Sequence, residues 1–551
     1  MKYYKWFSTF IIIMMLMTAC GNKESLYDSK GQVYRTVMGS DMHSLDTTKA
    51  SDQVSFNQFN QVFEGLYRFD KNDKPKPALA KGMPKVTNDG KTYTVKLKQH
   101  GKWSNGDDVT AHDFVYAWRK VVDPKNASEY AFIMYDIKNG KDVNESKKAL
   151  DKLGVKAIDD YTLRIELEKP IPYFTSMLAF PTFFPQNEKV SKKFGDKYAT
   201  TGDKAVYNGP FKLEEWKPED KIILAKNEQY WDKEAVHLDK VKYKVIKDPQ
   251  AGAALYDTDS VDSAGIVAEQ VDKYKDNPGL KSRLLVSSAY IKMNQKKVPA
   301  FRNKDFRLAI AKSIDKEGFV DTVKNDGSTV NNAFTAKKTA ETVDGQDFAD
   351  TVDSPLKYNP KAAKAHLEKA KKALGKDAFT FSLNTEDTPD TKLAAEYIKG
   401  EIEKNLPGVT VKIKQLPFKQ RWNNELTMNY ESSISLWNPD YPDPISYMDI
   451  MTKDHPNNNT GWSSKRYDQL VKDANGKLLQ RPKEREAALR EAEELMLKEA
   501  PIAPIYQKGS TYLENPQVKG RVNHSMGGST TLKHVYIDKS IDKETGKKKD
   551  K

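Results

Sequence analysis

Two periodicities alternate along this chain, and neither runs long enough to make it all helical or all β. Apolar and polar residues alternate with a period of two over residues 32–37, at Tyr93, Val95 and Leu97, and at Leu163, Ile165 and Leu167. The same alternation returns at Val241, Tyr243 and Val245 and at Val409, Val411 and Ile413. Each stretch predicts a strand with one buried face. Ile222-Ile223-Leu224 and residues 430–436 add two further β-like runs. Helical spacing appears over residues 56–69, from Thr110 to Val121, at Phe306, Ile310 and Ile314, at Leu367, Ala370 and Leu374, and over residues 482–499. Thr110 is placed to cap its helix with Asp113 in the acidic first turn, and Asp123-Pro124 ends it. Short strands and helices mixed throughout predict an α/β fold.

One stretch breaks both periods. Trp437-Asn438-Pro439-Asp440-Tyr441-Pro442-Asp443-Pro444 follows the β-like run at 430–436 and precedes an apolar segment over 445–451. Its three prolines forbid a helix interior and a paired central strand, so the backbone must leave the strand as a stiff, irregular loop. A tryptophan, an amide and two carboxylates on such a loop suit an ammonium group lying beside an apolar side chain. A Pro-stiffened turn whose aspartates cap the next helix accounts for the same residues equally well.

At 551 residues the chain exceeds one ordinary core, so two or three domains are expected. Lys2 and Lys5 precede a short apolar stretch over residues 6–17, followed by Thr18-Ala19-Cys20. This reads as a signal peptide over 1–19 that ends in a bacterial lipobox, with Met17 where leucine is more usual. Cys20 is the only cysteine and so has no internal disulfide partner. Resemblance to lipoproteins implies cleavage before Cys20 and a diacylglyceryl thioether on its sulfur, whose two acyl chains suffice for stable anchoring. Residues 20–31 then read as a polar tether. No other segment has the length and apolarity of a membrane span. The formal charge of +13 arises from lysines spread among acidic residues along the whole chain, the pattern of a solvated face, so nucleic acid is not an expected partner. Residues 541–551 read as a frayed basic tail.

Catalytic chemistry finds no support. H-E-x-x-H, Walker A and G-x-S-x-G motifs are absent, no cysteine nucleophile lies in the folded region, and the eight histidines show no metal-ligand spacing. The chain reads as neither an enzyme nor a cofactor or metal carrier.

The informative signals are longer strings. Residues 103–119, WSNGDDVTAHDFVYAWR, form a glycine turn followed by a capped helix. Residues 207–213, YNGPFKL, lead to Trp216 and then to KNEQYWD at 226–232. Residues 301–311, FRNKDFRLAIA, lead to Asp315-Lys316-Glu317. Together with the 437–444 loop these strings resemble, in order, the large extracytoplasmic solute-binding proteins that serve peptide ABC importers. The resemblance implies a two-lobed, Venus-flytrap α/β fold that closes about a hinge. Lobe I would comprise residues 32–76, 203–295 and 506–540, with 77–202 as an extra subdomain, and lobe II residues 296–505.

In peptide-binding relatives an aspartate three residues after a tryptophan pairs with the ligand's α-amino group, and Asp440 after Trp437 has that spacing. The same resemblance implies backbone pairing of the peptide around Asn438 and along Ser51-Asp52-Gln53, with Tyr130 and Phe418 lining side-chain pockets; ordinary core packing serves equally well for those two aromatics. The expected protein is a lipid-anchored, monomeric oligopeptide-binding protein on the outer face of the cell membrane, delivering peptides to an ABC permease. Another solute on the same fold (a signalling peptide, a sugar oligomer or a metal chelate) and a surface hydrolase or chaperone remain the alternatives. One departure bears on ligand length. Some relatives carry arginines shortly before the tryptophan to neutralise the peptide's C-terminus, and residues 427–436 contain none. The ligand's C-terminus is therefore expected to be weakly fixed and its length variable.

Overall fold

The structure, a computed structural model, describes residues 31–549 apart from 51, 440, 454, 456, 526 and 527. The signal peptide, Cys20 and the tether up to residue 30 lie outside the described residues. One mixed sheet of eleven strands organises the molecule: β1 (Val33–Met38), β2 (Phe211–Lys217), β3 (Lys221–Lys226), β4 (Lys240–Val245), β5 (Ser263–Ile266), β6 (Leu280–Met293), β7 (Thr329–Val330), β8 (Phe379–Glu386), β9 (Val409–Leu416), β10 (Ser432–Trp437) and β11 (Ile502–Glu514). Their spatial order is β9-β8-β10-β6-β11-β5-β1-β4-β3-β2, with β7 paired on β11. All five alternating segments form strands. Three (32–37, 241–245 and 409–413) lie in this sheet, and the 93–97 and 163–167 segments pair in a separate four-stranded antiparallel sheet within the 77–202 region.

Strands β6 and β11 are the long ones, at 14 and 13 residues. Residues 280–284 of β6 pair with 509–513, and residues 288–292 pair with 502–507. Between the two blocks the register breaks, and residues 285–287 oppose the single residue Lys508. Such a bulge bends the ladder and ends its regular pairing. It divides the sheet into a first half (β5, β1, β4, β3, β2) and a second half (β10, β8, β9) joined through two continuous strands. Beside the bulge, Gly509 is required by close approach: a Cβ there would lie 2.1 Å from the Gly327 carbonyl carbon. That approach lets Gly509 N donate to Ser328 Oγ at 2.9 Å.

Helix α1 (Gln53–Val62) begins behind the N-cap Asp52, and α2 (Ala111–Val122) begins behind Thr110. The α2 cap forms as its spacing suggests: Thr110 N donates to Asp113 Oδ2 at 2.9 Å. Asp113 Oδ2 also faces Trp103 Nε1 at 3.3 Å, and Trp118 Nε1 donates to the Phe183 carbonyl at 2.9 Å. The string at 103–119 is thus a packed scaffold, with Trp103, Phe114 and Trp118 fully buried. In the second half, α3 (Lys304–Ser313) packs against α4 (Pro360–Leu374), α5 (Pro389–Asn405) covers β8 and β9, and α6 (Phe418–Leu426), α7 (Lys465–Ala474) and α8 (Pro482–Glu499) follow.

Two expectations are corrected. The helical reading of residues 56–69 holds only to Val62; Phe63 is extended, and Tyr67–Phe69 pairs with Pro75–Pro77. The cause is Glu64, which is fully buried and accepts from Arg68 Nε at 2.6 Å, Tyr230 OH at 2.9 Å and Trp231 Nε1 at 2.6 Å. A carboxylate gripped by three donors fixes the chain more firmly than helix propensity does. The C-terminal segment is also not frayed over its described part. Ile541 bridges Lys548, its carbonyl accepts from Gln517 Nε2 at 2.7 Å, and Asp542 Oδ1 closes a turn by accepting from Thr545 N at 2.9 Å.

Burial pushes the Asp113 carboxyl up to about 6, against the hydrogen bonds from Thr110 and Trp103. The folded state therefore holds this proton more tightly than the unfolded chain. Its contribution favours folding below about pH 4 and is lost as the pH rises through about 6, a swing of about 3 kcal/mol. Asp113→Asn keeps an acceptor without the charge. Denaturant titrations should show the variant losing about 3 kcal/mol relative to wild type between pH 7 and pH 4; parallel pH profiles would contradict the assignment.

Candidate ligand-binding site at the junction of the half-sheets

The proline-rich loop emerges beside the bulge. Trp437, the last residue of β10, stands opposite Ser288 of β6. The three bulged residues cannot complete a strand ladder, and side chains of β11 and the second half take them up instead. The Leu285 carbonyl accepts from Gln507 Nε2 at 2.8 Å, the Val286 carbonyl accepts from Tyr447 OH, and Ser287 Oγ donates to Asn438 Oδ1. Gln507 is itself locked by Lys337, donating to its carbonyl and accepting from its N–H, each at 2.9 Å. Trp437 lies half-buried and donates Nε1 to the Ser446 carbonyl at 2.9 Å.

Of the loop's two carboxylates, Asp443 is occupied. Its Oδ1 accepts from Ile445 N at 2.9 Å, so the capping role holds for this residue. Arg485 of α8 grips both oxygens, Nη1 to Oδ2 and Nη2 to Oδ1 at 2.8 Å each, with both residues buried. The neighbouring Asp443 charge holds the Arg485 guanidinium above its ordinary value although burial alone would lower it. Asp440, the loop's other carboxylate, lies outside the described residues. Tyr441 reaches away from the second half and stacks on Tyr173.

The first-half candidates assemble around α1. Asp52 caps the helix by accepting from Ser55 N at 2.8 Å, Gln53 is its first residue, and Ser51 lies outside the described residues. Phe56 of α1 meets Tyr130 edge-on at 5.6 Å, and Tyr130 in turn stacks on Phe180 at 5.6 Å. Tyr130 is therefore half in the aromatic core, with exposed Phe132 beside it at 5.1 Å. A cavity of about 400 Å³ adjoins these residues, lined by Asp52, Glu129, His43 and Lys49 among others. Phe418 opens α6 with 60% of its surface exposed, and the Arg421 guanidinium lies 5.5 Å from its ring.

Arg421 is the nearest arginine before the loop, and the fold consumes it. It pairs with Glu425, and its Nη2 donates to Glu386 Oε1 at 3.1 Å. Glu425 also accepts from Lys292 Nζ at 2.7 Å and from the Ser433 and Ser435 hydroxyls at 2.7 and 2.9 Å. Burial raises this carboxyl, yet Lys292 and Arg421 bring it below its ordinary value. A larger cavity of about 900 Å³ lies between the halves, bounded by residues 282–284 of β6, Pro442, Asp443 and Pro444, and a segment running through Lys338, Glu341 and Phe348. None of Asp52, Gln53, Tyr130, Phe418, Trp437 and Asn438 lines it. The bulge, the Asp443–Arg485 pair and the Tyr173–Tyr441 stack escape sequence reading, because each joins residues far apart in the chain with no local signature.

Two half-sheets joined by two continuous strands, with a stiff loop pinned where they meet, define a two-lobed solute-binding protein. Residues 74–459 match the bacterial extracellular solute-binding proteins, family 5 (middle region). The chain is 36% identical over 487 residues to the dipeptide-binding protein DppE of Bacillus subtilis, covering 88% of each. Among solved structures it matches the substrate-binding domain of an oligopeptide ABC transporter from Bacillus anthracis with a TM-score of 0.80 and 42% identity, covering 93% of this chain and 99% of that one. It matches peptide-bound OppA of Listeria monocytogenes with a TM-score of 0.79 and 38% identity, covering 93% and 100%. The chain belongs to family 5 of the bacterial extracellular solute-binding proteins, and is a binding protein rather than an enzyme.

The Asp443–Arg485 pair makes a sharp prediction. Arg485→Ala leaves a buried, unpaired carboxylate and should cost about 3–5 kcal/mol in denaturant unfolding. Combining Arg485→Met with Asp443→Asn should recover most of that loss. Equal instability of the single and double variants would contradict the pairing argument.

Proposed function

We propose that this protein captures oligopeptides between its two lobes, holding the ligand's N-terminal ammonium on Asp440, and delivers them to a membrane ABC importer. The observation that carries the reading is the anchoring of the 437–444 loop. The bulge holds Asn438 and Arg485 neutralises Asp443, which makes Asp443 a poor partner for a cation and leaves Asp440, three residues after Trp437, as the loop's candidate. A carboxylate on a rigid loop meets an ammonium through a short, charge-assisted hydrogen bond at little entropic cost. The relatives named for dipeptide and oligopeptide binding support the solute class. Ser51, Asp52 and Gln53 at the head of α1 and the backbone at Asn438 pair with the peptide main chain, and Tyr130 and Phe418 contact its side chains. Main-chain pairing is indifferent to side chains, so selectivity is broad.

The protein works as a monomer, tethered to the outer face of the membrane through lipid on Cys20; among the described residues no helix is long and apolar enough to cross a membrane. Lobe I comprises residues 32–76, 203–295 and 506–540 with the 77–202 subdomain, and lobe II residues 296–505. With Arg421 neutralised by Glu425 and Glu386, the ligand's C-terminal carboxylate finds no partner there, and ligand length varies.

Calorimetry on the soluble form beginning after Cys20 tests both points. N-acetylation of a peptide, or Asp440→Ala, should each weaken binding by about 3 kcal/mol or more, and the two losses should not add. Equal affinity for acetylated and free peptides would remove the amine site from Asp440. Tri- to hexapeptides should bind alike; restriction to one length would contradict the open C-terminal end.

A further inference from the structure

The chain passes between the two halves of the sheet through β6 and β11. A second junction, far from those strands in sequence, is wholly noncovalent. Tyr173 of the 77–202 region and Tyr441 of the proline-rich loop stack nearly parallel, with ring centroids 4.2 Å apart and planes inclined by 3°. Lys169 Nζ, four residues before Tyr173, donates to Asn475 Oδ1 at 3.0 Å. Lys169 also stands 3.8 Å from Asp136 Oδ1 on its own side. Gly90, with a left-handed φ of 84°, brings its turn against Pro170 and the Gln480 side chain.

Both rings have stiff backing. Tyr173 lies between Pro172 and the fully buried Phe174, Tyr93 meets Phe174 edge-on at 4.9 Å, and Tyr93 OH donates to the Ile171 carbonyl at 3.3 Å. Tyr441 lies between Asp440 and Pro442, two residues before the Asp443 that Arg485 clamps. Neither ring can swing far to follow the other if the halves separate, so opening must break the stack and the Lys169–Asn475 bond together. Tyr441 is also the immediate neighbour of Asp440.

We propose that Tyr173, Lys169, Tyr441 and Asn475 form a clasp between the 77–202 region and the second lobe, with Tyr173 a positioning residue that steadies the Asp440 segment and sets how long a peptide is retained. This rests on the capture of free-amine peptides proposed above. The clasp acts on the closed arrangement, so it governs release; encounter occurs before it forms, and association is left largely unchanged. It gives the 77–202 region, which adds no strand to the large sheet, a part in ligand retention.

Stopped-flow release of a free-amine tetrapeptide carrying a fluorophore at its C-terminal end tests this on the soluble form beginning after Cys20. Tyr173→Ala should speed release by about tenfold with association within about twofold of wild type, and Tyr173→Phe, which keeps the ring, should restore slow release. Because Tyr173 is buried and its truncation could disturb the fold, Lys169→Ala and Asn475→Ala supply a second arm at half-exposed positions. Each should speed release by about threefold, and the double variant should add little more. Release at the wild-type rate in the Lys169 and Asn475 variants, and in any Tyr173→Ala protein that melts as wild type does, would overturn the clasp while leaving peptide capture standing. Failure of wild type to bind the peptide at all would overturn both.

Discussion

The bulge in β6 is the constraint on which the rest depends. A three-residue interruption in a buried strand leaves backbone groups that no ladder can satisfy, and burying such groups unpaired is costly. Gln507 of β11 and Tyr447 of the second half meet that requirement at the Leu285 and Val286 carbonyls, and Asn438 accepts from the Ser287 hydroxyl beside them. Asn438 opens the proline-rich loop. The place where the two lobes can bend is thereby also the place where the loop is held, and the loop's position follows from the geometry of the junction.

Behind the loop, the second lobe is stiffened by buried charge. Arg485 closes on Asp443, Glu425 gathers Lys292, Arg421 and two serines, and Glu493 accepts from the backbone N–H groups of Phe334 and Thr335 at 2.7 Å each. The Asp443–Arg485 and Glu425 ion pairs add little net stability over apolar packing, yet breaking one is severe, so they favour a single arrangement. The arginine nearest the loop, Arg421, likewise serves the interior.

Much of the fold was legible because alternation and helical spacing report which face is buried. The strands near residues 93–97, 163–167, 241–245 and 409–413 formed where the pattern put them, and the 482–499 helix ended where Ala500-Pro501 stops it. Residues 56–69 depart from the helical reading because Phe56, Phe59, Val62, Phe63 and Leu66 keep helical spacing to the end of the run, while its outcome is decided by Glu64, whose partners Tyr230 and Trp231 lie far along the chain. The tail misled because its lysines hide Ile541 and the Asp542 turn. On the proline-rich loop, the exit from the strand at Trp437 and the Asp443 cap could be read locally. Arg485, Tyr173 and the bulge could not, since Leu285-Val286-Ser287 looks like ordinary strand.

The solute itself is the most direct test of this account. Native mass spectrometry of the purified soluble form beginning after Cys20, followed by denaturation, identifies what the lobes carry. The account requires a mixture of free-amine peptides of several lengths and varied sequence. A single defined compound of another class, such as a sugar oligomer or a metal chelate, would leave the fold standing and contradict the peptide assignment.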